Sequence, residues 1–137
     1  MTRFDTILIT GAAGRLGTEL RRGLAPLARR LRLADVAPVA DLQPNEEALC
    51  FDLADEAATQ AACRGVDAIV HFGGVPLERP WEQILNANIR GSYHVYEGAR
   101  KHGVRRVVYA SSVHAIGYHR LEDQIDAPSA VLRTAIQ

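Results

Sequence analysis

The residues able to do chemistry in this 137-residue chain gather at a few points, and the first is Thr10-Gly11-Ala12-Ala13-Gly14-Arg15-Leu16-Gly17. It follows the apolar run Ile7-Leu8-Ile9 directly. Three glycines at this spacing, between a strand and a helix, suit a diphosphate. Gly11 permits a tight turn, Gly14 lets backbone come close to the ligand, and Gly17 lets the new helix lie against the strand. The free N–H groups and positive end of that helix then face the phosphates. Arg15 and Leu16, inside the motif, join the glycines as cofactor-binding candidates. Asp35 stands 24 positions after Gly11. A carboxylate there accepts hydrogen bonds from the adenosine ribose hydroxyls and repels a 2′-phosphate, which favours NAD over NADP. Arg15 works the other way, as a cation that tolerates the extra phosphate. The bland alternatives are a plain turn for the glycines and a solvated turn carboxylate for Asp35.

Further candidates lie where later strands should end. Asp52 and Leu53 can meet the adenine edge, or Asp52 can cap the next helix. Gly73 and Gly74 leave room for the cofactor backbone, or simply make a turn. Asn88 and Gly91 fall inside a helical pattern, where a glycine costs about 1 kcal/mol relative to alanine and so needs a packing or ligand reason. The Asn88 amide can bond a neighbouring backbone or the active site. Ser111, Ser112 and His114 follow a fifth strand, where a serine hydroxyl can bond a substrate oxygen or satisfy turn N–H groups. Among the histidines His114 is the site candidate. His71, His94, His102 and His119 show no ligand spacing and read as structural or solvated.

The elements that must position these residues alternate, short apolar runs with helical patterns. Such alternation predicts an α/β, Rossmann-type doubly wound parallel sheet. Strands are expected at Thr6–Thr10, Arg30–Ala34 (ending at Asp35), Ala48–Phe51, Val66–Phe72 and Arg106–Ser111. Helices are expected at Gly14–Leu27, Glu56–Cys63 and Trp81–His102. In the first helix Leu16, Leu20, Leu24 and Leu27 form one stripe while Arg21 and Arg22 point away. In the long one Leu85, Ile89, Tyr96 and Ala99 share a face, and Gly103 is placed to cap it. In such a sheet the ligand lies outside the carboxyl ends of the strands, where the candidates above fall.

Composition narrows the function. The 16 basic and 16 acidic residues cancel with no long run of either sign, which argues against nucleic acid or an anionic membrane as partner. Cys50 and Cys63 lack the spacing of a zinc or redox site, and a reducing cytoplasm fits them. No metal site is expected. No apolar run reaches a membrane-spanning length, and the start lacks the pattern of a signal peptide.

The chain resembles the N-terminal half of an extended short-chain dehydrogenase/reductase, in the NAD-dependent epimerase/dehydratase family. The glycine motif from Thr10 to Gly17, Asp35, Asp52-Leu53, Asn88-Ile89-Arg90-Gly91 and Ala110-Ser111-Ser112 with Gly117 carry this resemblance. It extends to about Asp126. Within the family the chain is most similar to uronate dehydrogenases, through His71-Phe72-Gly73-Gly74-Val75, Glu82-Gln83-Ile84-Leu85 and His114-Ala115-Ile116-Gly117-Tyr118. The resemblance implies NAD-dependent oxidation of a hexuronate at its anomeric carbon, with Ser112 as the catalytic hydroxyl and Ser111 and His114 against the sugar acid. Val113 departs from the asparagine usual there. A nucleotide-sugar epimerase or dehydratase is the rival enzymatic reading, and a non-catalytic nucleotide-binding fragment is the third.

The family's proton transfer needs a tyrosine with a lysine four residues later, and no such pair occurs in the sequence. Residues 1–126 are therefore expected to form an incomplete NAD-binding Rossmann domain, truncated after about the fifth strand. Residues 127–137 form a divergent tail that suggests a frameshift, because Val131 to Gln137, back-translated and read one base earlier, can spell Arg-Pro-Glu-Asn-Cys-Tyr-Ser. A genuine truncation and a deliberately shortened gene are the alternatives. An incomplete domain leaves apolar faces and a sheet edge open, which predicts a homo-oligomer through exchanged strands or paired Trp81–His102 helices.

Overall fold

Five parallel strands form one sheet in a computed structural model that describes residues 3–112 and Arg120. They are β1 (Phe4–Thr10), β2 (Ala28–Asp35), β3 (Glu46–Cys50), β4 (Ala68–His71) and β5 (Arg106–Tyr109), in the spatial order β3-β2-β1-β4-β5. The chain starts mid-sheet, winds outward to β3, then crosses back over β1 to lay down β4 and β5. That reversal puts a crevice at the carboxyl ends of β1 and β4. His114 and the tail at 127–137 lie outside the described residues.

Alternation along β1 feeds two cores. Ile7 and Ile9 face one side with Leu31, Leu33, Ala68 and Val70, against Leu20 and Leu24 of α1 (Arg15–Leu24). Leu8, Ala34 and Ile69 face the other side, against Ala62 of α2 (Glu56–Ala62) and Val95 and Ala99 of α4 (Gly91–Lys101). Register holds these layers together, with Ile7 opposite Leu31 and Ala68, and Ile9 opposite Leu33 and Val70. Each fully buried Ile, Leu or Val among them contributes about 1.5–3 kcal/mol. The central strand is thereby pinned from both faces.

Two expected helical patterns are corrected. In α1, Leu20 and Leu24 pack on the sheet, but Leu16 is 63% exposed because the buried contact at that end belongs to Gly17. The helix stops at Leu24, and Ala25–Leu27 tighten into a 3-10 turn around Pro26. Arg21 does not point away into solvent. Its guanidinium bonds Glu46 and the carbonyls of Ala40 and Asp41, fastening the β2–β3 loop to α1. That pairing holds the Glu46 carboxyl below its usual range.

The stretch expected as one long helix is three pieces: α3 (Trp81–Ile84), a π-helical segment Leu85–Arg90, and α4. In the π segment the Gly91 N–H reaches back five residues to the Asn86 carbonyl. The extra residue per turn rotates everything after it. The buried face of α4 is consequently Gly91, Val95, Gly98 and Ala99, whereas Ile89 and Tyr96 are exposed. Gly103 follows α4 with a φ of 68°, as expected of its C-terminal cap.

Candidate functional site

The glycine turn forms one wall of the crevice. Gly11 has φ 73°, and a Cβ there would lie 2.7 Å from the Phe72 carbonyl. A Cβ on Gly17 would overlap the Gly11 oxygen, so α1 is seated on the turn by backbone contact alone. Gly14 is the N-cap, with its N–H to the Gly11 carbonyl at 3.1 Å and no side-chain cap. Arg15, Leu16 and Gly17, whose amides the helix itself leaves without acceptors, line the crevice. No acidic residue stands in this first turn, and the cation there is Arg15.

Asp35 ends β2 beside the glycine turn. Its Oδ2 accepts the Ala13 N–H at 3.0 Å and its Oδ1 accepts the Ala37 N–H at 3.0 Å. The carboxylate thus ties the glycine turn to the loop after β2. Each oxygen keeps a further lone pair for a hydroxyl donor. Together the turn and Asp35 border a cleft of about 830 Å³, within the range of small-molecule sites.

The end of β3 and the loop after β4 close the cleft. Asp52 lines it and accepts the Ala54 N–H at 2.9 Å, while the N-cap of α2 is Asp55, bonded to the Ala58 N–H. Leu53 is buried at the cleft and held from behind. Its carbonyl lies 2.8 Å from His94 Nδ1 and accepts the Thr59 hydroxyl at 3.2 Å. A Cβ on Gly91 would lie 2.8 Å from Leu53 Cβ, which supplies the packing reason for a glycine in the helix.

Gly73 and Gly74 line the floor, where a Cβ on Gly73 would meet Leu53 Cδ1 at 2.7 Å. Asn88 takes the neighbouring-backbone option. Its Oδ1 accepts the Val75 N–H at 2.7 Å and its Nδ2 donates to the Val75 carbonyl at 3.0 Å. The π segment that carries Asn88 also brings Asn86 and Ala87 to the cleft.

Sequence reasoning left out a trio behind the floor, of which Thr10 and His71 are buried and Ser92 is partly so. Thr10 Oγ1 accepts the Gly73 N–H at 3.0 Å and lies 2.6 Å from His71 Nδ1, while His71 Nε2 lies 3.1 Å from Ser92 Oγ. Burial pushes the His71 imidazole down to about 4, so it is neutral at pH 7. The available signal was a histidine at the end of an otherwise apolar strand, Ala68-Ile69-Val70-His71. Ser111 and Ser112 follow β5 at the same sheet edge, exposed and outside the cleft lining. Among the described residues no group of three or more His, Cys, Asp or Glu is placed to hold a metal ion. None of the described helices is long and apolar enough to cross a membrane.

A parallel sheet that reverses at β1, with a glycine turn and a strand-end carboxylate on the resulting cleft, defines a Rossmann-type α/β domain. The chain belongs to the 3-beta hydroxysteroid dehydrogenase/isomerase family, whose model matches residues 8–130. It is 53% identical over 127 residues to uronate dehydrogenase of Pseudomonas putida, covering 92% of this chain and 47% of that protein. Among solved structures it is similar to a mutant uronate dehydrogenase from Agrobacterium tumefaciens complexed with NAD. That match has TM-score 0.81 at 46% identity, over 95% of this chain and 52% of that one. A glucuronic acid dehydrogenase from Chromohalobacter salexigens matches with TM-score 0.85 at 43% identity, over 89% and 46% of the two chains. The chain spans about half the length of these relatives.

Proposed function

We propose that this chain carries the NAD-binding half of a dehydrogenase that oxidises a sugar acid of the hexuronate type. The observation that carries the reading is one cleft lined by both the first-turn residues Arg15, Leu16 and Gly17 of α1 and by Asp35. Gly11, Gly14 and Gly17 offer the diphosphate a wall of backbone, and Arg15 and Leu16 flank it. Asp35 accepts the adenosine ribose hydroxyls on its remaining lone pairs, and Asp52 and Leu53 border the adenine. Gly73 and Gly74 leave the floor open to the cofactor backbone, and Asn88 holds that floor through Val75. Ser112 is the proposed catalytic hydroxyl, with Ser111 and His114 toward the sugar acid.

When bound, NAD supplies the hydride acceptor. The sequence contains no tyrosine followed four residues later by lysine. General acid-base help of the kind that pair gives contributes about 10² to 10⁴ in rate. We therefore expect this chain alone to bind nucleotide without oxidising galacturonate or glucuronate, and NADH formation from either sugar overturns that expectation. Calorimetric titration with NAD and NADP tests the site. NAD is expected to bind more tightly, and Asp35→Asn to narrow the preference by roughly tenfold, because a carboxylate near a 2′-phosphate is repulsive and the amide is not. Absence of NAD binding, or equal affinity for both nucleotides, rejects the assignment. A cytoplasmic setting and self-association through α4 and β5 belong to the same proposal.

A further inference from the structure

We infer that His71 is a positioning residue for the cleft, acting through Thr10 to fix the backbone at Gly73. The inference rests on reading the cleft as the nucleotide site. His71 itself lines no part of the cleft and is fully buried, at the end of β4. Its two ring nitrogens meet two hydroxyls, Thr10 Oγ1 at the end of β1 and Ser92 Oγ in the first turn of α4.

Hydrogen-bond accounting fixes the direction of each bond. Thr10 Oγ1 faces two groups among the described residues, the Gly73 N–H and His71 Nδ1. The amide only donates, so the Thr10 hydroxyl proton has Nδ1 as its acceptor. The ring proton then sits on Nε2 and donates to Ser92 Oγ. A hydroxyl is otherwise free to rotate. Here the imidazole holds its proton to one side and leaves a lone pair aimed at the Gly73 N–H.

That amide sits at a narrow place. The Gly73 nitrogen, at 2.8 Å, and the Phe72 carbonyl group, at 2.7 Å, are the atoms a Cβ on Gly11 would approach, and Gly73 is itself hemmed by Leu53 Cδ1 and Thr10 Oγ1. The hydroxyl that His71 orients therefore sets the spacing between the two glycine segments that form the cleft wall and floor. A histidine present only to fill volume would be replaceable by an apolar ring. A positioning histidine needs an acceptor at Nδ1.

The test compares this chain with four variants by calorimetric NAD titration. His71→Phe removes the acceptor and Thr10→Val removes the hydroxyl with its shape kept, and each is expected to weaken binding about tenfold. His71→Asn restores an acceptor near Nδ1 and Thr10→Ser restores the hydroxyl, and each is expected to stay within about threefold of the parent. Full affinity in His71→Phe and Thr10→Val, or equal weakening in all four, overturns the inference. Thr10→Val, the mildest change in shape, serves should the His71 variants not fold.

Two readings need no nucleotide, so failure of the nucleotide assignment is told apart from failure of this one. Long-range 1H–15N spectra of the parent at pH 7 should show an unprotonated Nδ1 and a protonated Nε2, and the opposite tautomer overturns the inference. Hydrogen exchange at the Gly73 amide should quicken at least about tenfold in Thr10→Val relative to the β1 amides. Unchanged exchange overturns it as well.

Discussion

His71 titrates at about 4 in the folded chain against an ordinary 6.5, with burial as the cause. The depressed value means that the unfolded chain binds the proton first as pH falls. His71 contributes stability that is fully present above about pH 6.5 and lost as pH drops toward 4, by up to about 1.4 kcal/mol per pH unit. Urea denaturation at pH 7 and pH 5 should show this loss, and His71→Asn should shrink it. A parent no more acid-sensitive than the variant rejects the assignment. Burial also pushes the Cys63 thiol up to about 11, which makes it an inert core group while Cys50 stays exposed. At this scale the sequence showed which side chains stand at strand ends, because the glycine spacing and Asp35 are local signals. It did not show that Asp35 accepts the Ala13 amide, since the two meet only when β1 and β2 pair.

Among the elements, α1 is the one whose seating the glycines decide. Gly17→Ala drives a methyl group into the Gly11 carbonyl oxygen, so the helix must move. The expected cost is about 1–3 kcal/mol, as for overpacking elsewhere. Gly23 lies in the same helix, and a methyl group there would meet nothing within 4 Å. Gly23→Ala should therefore stabilise by about 0.5–1 kcal/mol through helix propensity. Thermal and urea denaturation of both variants check the pair, and equal effects would contradict the seating of α1. The π segment works in the opposite direction, against what local pattern suggests. A 3.6-residue period read through Leu85 to Ala99 chose Tyr96, whereas the extra residue at Leu85–Arg90 hands the buried position to Val95. No single residue type announces a π segment. It is fixed by Asn88 bonding Val75 and by Gly91 fitting against Leu53, both tertiary contacts.

For the molecule as a whole, apolar surface is left open on one side. Tyr93 and Tyr96 of α4 and Tyr109 of β5 are exposed, and the Tyr96 and Tyr109 rings lie 6.2 Å apart. β5 is also an edge strand of the described sheet, with backbone groups that can pair another strand. Concentration-dependent association of the chain is the expected result in sedimentation velocity, reduced by Tyr96→Glu, which puts a charge into the patch. A monodisperse monomer at all concentrations contradicts it.

The sequence by itself determined the fold class and placed the glycine turn and Asp35 at strand ends. Strand alternation, a glycine turn and a carboxylate at a fixed separation are all short-range patterns, and the folded chain keeps them. Only the tertiary structure decided how the cleft is held. Leu53 carries bonds from α2 and α4, Arg21 turns inward to Glu46, and Thr10, His71 and Ser92 meet from β1, β4 and α4. These partners are up to 61 residues apart along the chain. Local propensity carries no information about such meetings, because they exist only once the sheet has brought the strand ends to one edge.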